Sequence, residues 1–355
     1  MNVARYAYVY ARIRARLSDL LDNKDIKALV DARKEDFMAI LLDSPYRASI
    51  TKNNLTEVDA HVIEKALKQE LIYQYLTVIR STDAAVKDFM IEFFRRFEVM
   101  NVKAIIRAKA AGMSVSTGTS ESVLLFPVEP FFRDYRGILV EVGSLEDAIK
   151  RFEEPYRGIL ADSIQDYKNK MSNRHRLLDL ENALDRDLFG AIWDKKEHLR
   201  RADREIVEKV IGTELDIANL MTMLRCKEEG IAEADMERYF MPYSYAWDID
   251  AVRDAMSADN ISSAIQLLPD SPYKVVLSAA IPYYEEQKSL VPFELALQRY
   301  FLRWIRKVLS GYPIDIGTVL SYLYLKEAEI RNLCTIAVCK ENELPAEETL
   351  KLVMM

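Results

Sequence analysis

The stretch Glu98-Val99-Met100-Asn101-Val102, followed by Lys109, decides the fold of this chain because its pattern occurs three times. An acid, an asparagine three residues later and a lysine eight residues after that recur in two further places: Asp216, Asn219 and Lys227, and then Glu329, Asn332 and Lys340. On an α-helix of about 3.6 residues per turn these positions share nearly one azimuth, since eleven residues make about three turns. We therefore predict three helices that each carry one polar stripe, and we name them stripes 1, 2 and 3 in chain order.

A Pro-Tyr pair precedes each stripe at a similar distance. The three pairs lie roughly 60 residues before the matching asparagine: Pro45-Tyr46, Pro155-Tyr156 and Pro272-Tyr273. Two markers that recur in the same order predict internal repetition, with a unit of about 115 residues. The predicted boundaries place repeat one at residues 1–115, repeat two at 116–232 and repeat three at 233–355. The first boundary falls in residues 112–122, whose glycines, serines and threonines are typical of a linker.

The composition favours long helices. Only 10 glycines and 11 prolines occur among 355 residues, so we expect few tight turns. The spacing of Tyr6, Val9 and Ile13 predicts an amphipathic first helix. Residues 25–42 predict a single second helix that ends before Pro45. The sequence therefore predicts an all-α fold built from three homologous repeats.

The charge pattern excludes some classes of function. A formal net charge of −7 argues against nucleic acid as a partner, because binding to a phosphate backbone needs a basic surface. The chain has no apolar run of the roughly 18 to 20 residues that a membrane-spanning helix requires. Its first residues carry arginines interleaved with tyrosines, which is not typical of a signal peptide. We expect a soluble protein on the cytosolic side.

Sequence motifs for catalysis are missing. The chain has no glycine-rich nucleotide-binding loop. Its three histidines fall on different predicted helices, and none belongs to an arrangement that indicates a dedicated metal site, although Glu64 lies three residues after His61. An all-helical enzyme would need titratable groups that converge, and the adjacent acidic pairs of this chain diverge in azimuth. We expect no cofactor, no metal site and no small-molecule substrate.

The stripes allow two interpretations. In one, their side chains form hydrogen bonds between neighbouring helices and set the register of the repeats. In the other, they line a surface that is offered to one partner. Arg107 and Arg225 extend stripes 1 and 2, whereas Val338 stands at that position in stripe 3 and Glu343 replaces the glycine that closes the other copies. The candidate partner-binding residues are Glu98, Asn101, Arg107, Lys109, Asp216, Asn219, Arg225, Lys227, Glu329, Asn332 and Lys340.

Three features together carry a resemblance to a known family. They are the opening Tyr6-Ala7-Tyr8-Val9-x-Ala11-Arg12-x-Arg14, the Pro-Tyr pairs, and the asparagine-to-lysine stripes with Arg107 and Arg225. With these features the chain resembles the C subunit of the A-type (V/A-type) ATP synthases of archaea and bacteria, which is similar to the d subunit of the vacuolar ATPase. The resemblance spans essentially the full chain. It implies a pseudo-threefold funnel of helical domains without enzymatic activity.

The resemblance also implies a location and partners. The chain is expected to be a peripheral subunit on the cytoplasmic side of the cell membrane, forming a socket in the rotor. It would receive the central-stalk subunits and sit on the membrane proteolipid ring, and so couple ATP synthesis or hydrolysis to proton or sodium transport. The alternative is a free-standing helical-repeat scaffold or adaptor unrelated to a rotary ATPase, which would not co-purify with rotary-ATPase subunits.

Overall fold

The structure, a computed structural model, describes residues 3–52, 59–113, 123–169, 173–247, 250–310 and 314–354, with the backbone alone at 3–5, 165–169 and 173–176. Across these residues the chain is helical and contains no β-strand. The all-α prediction is confirmed, and the pseudo-threefold funnel stays a prediction.

The chain divides into two compact units. The middle unit comprises Ala84–Leu199, and the terminal unit comprises Met1–Asp83 together with Arg200–Met355. The division into three repeats stays a prediction, and its first boundary, between residues 115 and 116, lies outside the described residues.

The helices are numbered in chain order. The terminal unit begins with α1 (Val3–Leu17), α2 (Asn23–Asp31), α3 (Lys34–Leu42), α4 (Arg47–Lys52) and α5 (Ala60–Ser81). The middle unit contains α6 (Ala84–Phe94), α7 (Arg96–Ala110), α8 (Arg136–Glu141), α9 (Leu145–Arg151), α10 (Tyr156–Asn169) and α11 (Asn173–Lys195). The terminal unit resumes with α12 (Arg201–Glu228), α13 (Glu233–Met236), α14 (Arg253–Ser257), α15 (Ile261–Leu267), α16 (Pro272–Gln287), α17 (Val291–Leu309), α18 (Ile316–Glu341) and α19 (Ala346–Leu352).

Several helices begin at polar capping residues. Ser144 accepts a hydrogen bond from the backbone N–H of Asp147 at 3.1 Å and opens α9. Asn260 caps α15, and Ser271 caps α16, whose first residue is Pro272. Each cap satisfies an N–H group that has no partner inside the helix, and so fixes where the helix starts.

The prediction of one helix over residues 25–42 is wrong, because the chain breaks between α2 and α3. Ala32 has φ −59° and ψ 149°, and Arg33 is likewise extended. The break leaves the carbonyl groups of Val30 and Ala32 free to accept hydrogen bonds from Lys340 Nζ, at 2.6 and 2.5 Å. A contact between distant parts of the chain therefore overrides the local helical pattern.

Stripes 1, 2 and 3 lie on α7, α12 and α18, and these three helices end in the same way. Gly112 and Gly230 both have φ +69°, and Glu343 has φ +56°. In each case the next backbone N–H donates to the carbonyl group five residues earlier: Met113 to Ala108, Ile231 to Cys226, and Leu344 to Cys339, at 3.0, 2.9 and 2.9 Å. This is the Schellman arrangement, and it persists in the copy that has no glycine.

Each unit has its own core around the stripe helices. In the middle unit, α11 packs against α6, α7 and α10. In the terminal unit, α18 packs against α1, α5, α12 and α17, and it is buried along most of its length. Helix α1 joins this core through Tyr6, Val9 and Ile13, as its amphipathic pattern predicts.

Candidate functional site

Each stripe asparagine holds one backbone residue of a segment outside its own helix. The amide nitrogen of Asn101 donates to the carbonyl oxygen of Phe126 at 2.9 Å, and its amide oxygen accepts from the Phe126 N–H at 2.7 Å. The same pair of hydrogen bonds joins the other two asparagines to their partners: Asn219 to Met241, and Asn332 to Met354. One side chain thereby satisfies both backbone groups of a residue that has no helical partner.

Each stripe acid accepts hydrogen bonds from backbone N–H groups and from the tyrosine of a Pro-Tyr pair. Glu98 accepts from the N–H of Arg133 at 3.3 Å and from the hydroxyl of Tyr156 at 2.6 Å. The other two acids have equivalent partners: Asp216 accepts from the N–H groups of Tyr245 and Ala246 and from Tyr273, and Glu329 accepts from the N–H of Leu21 and from Tyr46. Stripes 1 and 2 thus bind the Pro-Tyr pair that follows them, and stripe 3 binds the first pair in the chain.

Burial determines the protonation behaviour of these groups. Desolvation raises the pKa of Glu98 and of Asp216, although hydrogen bonds from their partners oppose the rise. Burial and the neighbouring carboxylates raise the pKa of Tyr156 and of Tyr273. The two hydroxyl groups therefore remain protonated and act as donors.

Each stripe lysine donates to carbonyl groups at the end of a short helix. Lys109 Nζ donates to Leu139 in the last turn of α8 at 2.6 Å. The other two lysines do the same: Lys227 donates to Met256 and Ala258 at the end of α14, and Lys340 to Val30 and Ala32 at the end of α2. These carbonyl groups have no partner within their helices, so an ammonium group stabilises them. Burial lowers the pKa of Lys109 and of Lys227.

Arg107 and Arg225, in contrast, lie at the surface. Arg107 forms a bidentate ion pair with Glu181, with N–O distances of 2.5 and 2.6 Å, and its side chain is 59% exposed. Arg225 lies 3.5 Å from Glu294 and is 51% exposed. Exposed ion pairs contribute little to stability. These two arginines are therefore the stripe positions with the most accessible charge.

The acids, asparagines and lysines of the stripes serve as internal contacts. All are buried or half-buried, and all are hydrogen-bonded within one unit. This geometry favours the interpretation that the stripes fix the packing of segments against a helix. Direct partner binding by these residues stays a prediction.

The sequence pattern did not reveal which residues the stripes would contact. The tyrosines of the Pro-Tyr pairs and the backbone of Phe126, Met241 and Met354 were all missed as members of the site. A signal was present, because Tyr156 follows Glu98 by 58 residues and Tyr273 follows Asp216 by 57. Nothing comparable identifies Phe126, since any residue has the backbone groups that an asparagine binds.

Metal-binding clusters are absent from the part of the chain that the structure describes. No group of three or more His, Cys, Asp or Glu side chains among those residues is placed to hold a metal ion. Nor does any helix of the described ranges have the length and apolar character needed to cross a membrane.

Comparison with known proteins confirms the family that the sequence resembles. Residues 9–352 match the family described as the ATP synthase (C/AC39) subunit. The C subunit of the A-type ATP synthase of Methanothermobacter thermautotrophicus is 29% identical over 342 residues, which cover 96% of this chain and 85% of that protein. The corresponding C subunit of Methanocaldococcus jannaschii is 27% identical over 356 residues, 100% of this chain and 87% of the relative. That of Haloquadratum walsbyi is 27% identical over 346 residues, 96% of either chain. Since the match includes all three stripes and nearly the whole sequence, the chain belongs to the ATP synthase (C/AC39) subunit family.

Proposed function

We propose that this chain is the non-catalytic rotor subunit that couples the central stalk of an A-type ATP synthase to the proteolipid ring in the membrane. The match of residues 9–352 to the family is the observation that carries the proposal. The chain also aligns over nearly its whole length with relatives that are A-type ATP synthase subunits by name. On this proposal it is a peripheral subunit on the cytoplasmic side, and it acts in ATP synthesis or in ATP-driven ion transport.

The stripes support a coupling role through stiffness. A part that transmits torque has to resist deformation, and helical repeats with satisfied buried polar contacts are rigid. Each stripe fixes an irregular segment, a tyrosine and a helix end to one long helix. We therefore propose that the stripes buttress the socket, and that partners contact the surface around them.

Arg107 and Arg225 are the stripe residues that we propose for partner contact. Their side chains are exposed, and they lie at equivalent positions of α7 and α12. Guanidinium groups suit acidic surfaces because they bind carboxylates in a fixed planar geometry. The expected partner surface is therefore acidic.

A binding assay with the full chain tests this proposal. The tagged chain would be mixed separately with purified central-stalk subunits and with the purified proteolipid ring of the same organism. We predict that the wild type binds both, and that the double variant Arg107→Ala/Arg225→Ala binds at least one of them about tenfold more weakly. Folding stability should change by less than about 1 kcal/mol, because both ion pairs are exposed.

A matched double variant controls for the loss of surface charge. Arg151 and Arg253 are also exposed and paired with acids, at 61% and 51% side-chain exposure. Their replacement by alanine should leave binding unchanged. An equal loss in both double variants would exclude a specific role for Arg107 and Arg225. If the wild type binds neither the stalk nor the ring, the coupling function itself is wrong.

A further inference from the structure

Four cations follow one another on α17 without an acid among them. They are Arg299, Arg303, Arg306 and Lys307, and residues 295–314 contain no aspartate or glutamate. Spacings of four and three residues place the three arginines on one side of the helix, and Lys307 lies one turn after Arg303. Arg303, Arg306 and Lys307 are exposed, and we name these three residues the cationic row.

The opposite side of α17 is fixed in the core of the terminal unit. Phe293, Leu297 and Ile305 are fully buried there, and the helix packs against α12, α16 and α18. Arg299 donates to the carbonyl oxygen of Val353 at 2.7 Å and so holds the segment after α19. The cationic row therefore faces solvent on a helix that cannot rotate to cover it.

The row has no counter-charge of its own. Among the described residues, no carboxylate forms an ion pair with Arg303, Arg306 or Lys307. Burial lowers the pKa of Arg306, and burial together with Arg303 lowers the pKa of Arg299. Both shifts have the direction expected where no carboxylate stabilises the charge. Exposed Arg201, in contrast, pairs with Glu205 of its own helix at 2.9 Å.

Two acids near the row are engaged elsewhere. Arg306 lines a cleft that also contains Asp22, Lys24 and Glu329. Glu329 is buried and pairs with Lys326 at 3.0 Å. Asp22 accepts from the backbone N–H of Lys24 at the start of α2, and the exposed ammonium group of Lys24 offsets its charge. The cleft therefore leaves the positive charge of the row in place.

The stability of α17 does not explain the row. Like charges four residues apart on a helix repel each other, and Arg303 has Arg299 and Lys307 at that spacing. The helix dipole favours basic residues in the last turn, where Arg306 and Lys307 lie, but its effect falls off before Arg303. A binding role accounts for a position that the helix itself disfavours.

We propose that the cationic row binds an acidic segment of another protein, whose carboxylates pair with Arg303 and Arg306. A guanidinium group binds a carboxylate in a planar, bidentate geometry, so such a segment supplies the counter-charge that this chain lacks. The proposal rests on the contacts of α17 and holds whether or not the chain has the proposed rotor function.

The charge and the packing of α17 favour a protein segment over an anionic membrane. A helix that lies in a membrane surface turns its apolar side towards the lipid, and α17 buries that side in the core. An extended anionic surface also repels a chain with a formal net charge of −7, whereas a short acidic segment meets only the local positive charge.

A synthetic peptide of about twelve residues, in which glutamate and alanine alternate, is the probe and is long enough to span the row. Its fluorescently labelled form would be titrated with the full chain at low salt, and binding followed by fluorescence anisotropy. We expect saturable binding that weakens as the salt concentration rises. The corresponding peptide of glutamine and alanine should not bind.

Variants of the protein locate the binding site. The double variant Arg303→Gln/Arg306→Gln should weaken binding by about tenfold or more, because it removes two charged hydrogen-bond donors. The matched control is Arg47→Gln/Arg80→Gln, which removes the same charge at two exposed arginines of the terminal unit and should leave binding unchanged. Circular dichroism checks folding, and the single variant Arg303→Gln should show a smaller loss if the double variant does not fold.

Three results would overturn the proposal. The first is the absence of saturable binding of the glutamate peptide to the wild type. The second is an equal loss of binding in the two double variants, since the peptide would then respond only to net charge. The third is binding through Arg303 and Arg306 to vesicles of phosphatidylglycerol and phosphatidylcholine but not to the peptide, because the partner would then be a membrane. The assay uses no ATP synthase subunit, so its outcome is independent of the rotor function.

Discussion

Glu343 occupies a backbone conformation that suits glycine. It has φ +56° at the end of α18, where Gly112 and Gly230 end the other stripe helices with φ +69°. A side chain with a Cβ costs roughly 1 kcal/mol in this region relative to glycine. We predict that Glu343→Gly raises the free energy of unfolding by about 1 kcal/mol, measured by urea denaturation.

Two further variants show whether this gain comes from the left-handed conformation. Gly230→Ala places a Cβ in the same geometry and should lower the free energy of unfolding by about 1 kcal/mol. Lys209→Gly removes an exposed side chain inside α12 and should also lower it by about 1 kcal/mol, since glycine is unfavourable within a helix. A destabilised Glu343→Gly variant would mean that the glutamate makes contacts that outweigh its backbone cost.

The buried Glu98 should make the free energy of unfolding fall as the pH rises. Desolvation raises its pKa in the folded state above the ordinary 4.5, so near and above that pH the folded protein binds more protons than the unfolded one. Its contribution to stability is then fully present below 4.5 and is lost as the pH rises through the folded pKa. We predict that the free energy of unfolding of the wild type, relative to that of Glu98→Gln, decreases as the pH rises through the folded pKa of Glu98. Denaturation at a series of pH values measures this difference.

Asp147 provides a control of opposite sign. Hydrogen bonds from Lys150 and Ser144 lower the pKa of this exposed carboxyl group. Its contribution is present above the unfolded pKa and is lost as the pH falls, so the wild type should gain stability relative to Asp147→Asn as the pH rises. A Glu98→Gln difference that does not change with pH would contradict the effect of burial on Glu98.

Each stripe asparagine joins its helix to an irregular segment through a pair of hydrogen bonds. Replacing Asn101 or Asn332 by alanine removes two hydrogen bonds and leaves an N–H and a carbonyl group without their partner, on half-buried Phe126 or on buried Met354. We predict a loss of about 2 to 3 kcal/mol in the free energy of unfolding for each variant, measured by thermal or urea denaturation.

Asn342 is the matched control for these variants. It lies at the exposed end of α18, where its side chain donates to Val338 of its own helix at 2.8 Å. Its replacement by alanine should change stability by less than about 0.5 kcal/mol. Equal effects at Asn342 and at the stripe asparagines would mean that the stripe asparagines do not hold the segments in place.

The sequence was informative about the stripe helices and less so about what they hold. The spacing of acid, asparagine and lysine predicted three helices and their shared face, because helical geometry alone relates positions i, i+3 and i+11. The break at Ala32 could not be predicted in the same way, since it depends on Lys340, 308 residues away. Contacts of this range are absent from any local pattern.

At the scale of the whole molecule, the contacts of stripe 3 join residues from opposite parts of the chain. Glu329 accepts hydrogen bonds from Leu21 and Tyr46, over sequence separations of 308 and 283 residues. Both early residues lie in the terminal unit with α18. Stripes 1 and 2 bind the tyrosine that follows them, so stripe 3 completes the same scheme by binding the first Pro-Tyr pair. The terminal unit therefore has buried contacts that both parts of the chain supply.

The family match covers all three stripes. The match extends from residue 9 to residue 352 and so includes the residues of stripe 3 and their early partners, Leu21 and Tyr46. The family match therefore spans both compact units.

The proposed function requires the chain to be part of a rotary ATP synthase complex. The most direct test is its purification from native membranes in a mild detergent, followed by mass spectrometry of the proteins that accompany it. We predict that central-stalk subunits and the small proteolipid are recovered with it in fixed ratio. Recovery of the chain without either, from membranes in which the ATP synthase stays intact, would contradict the account and favour a free-standing helical scaffold.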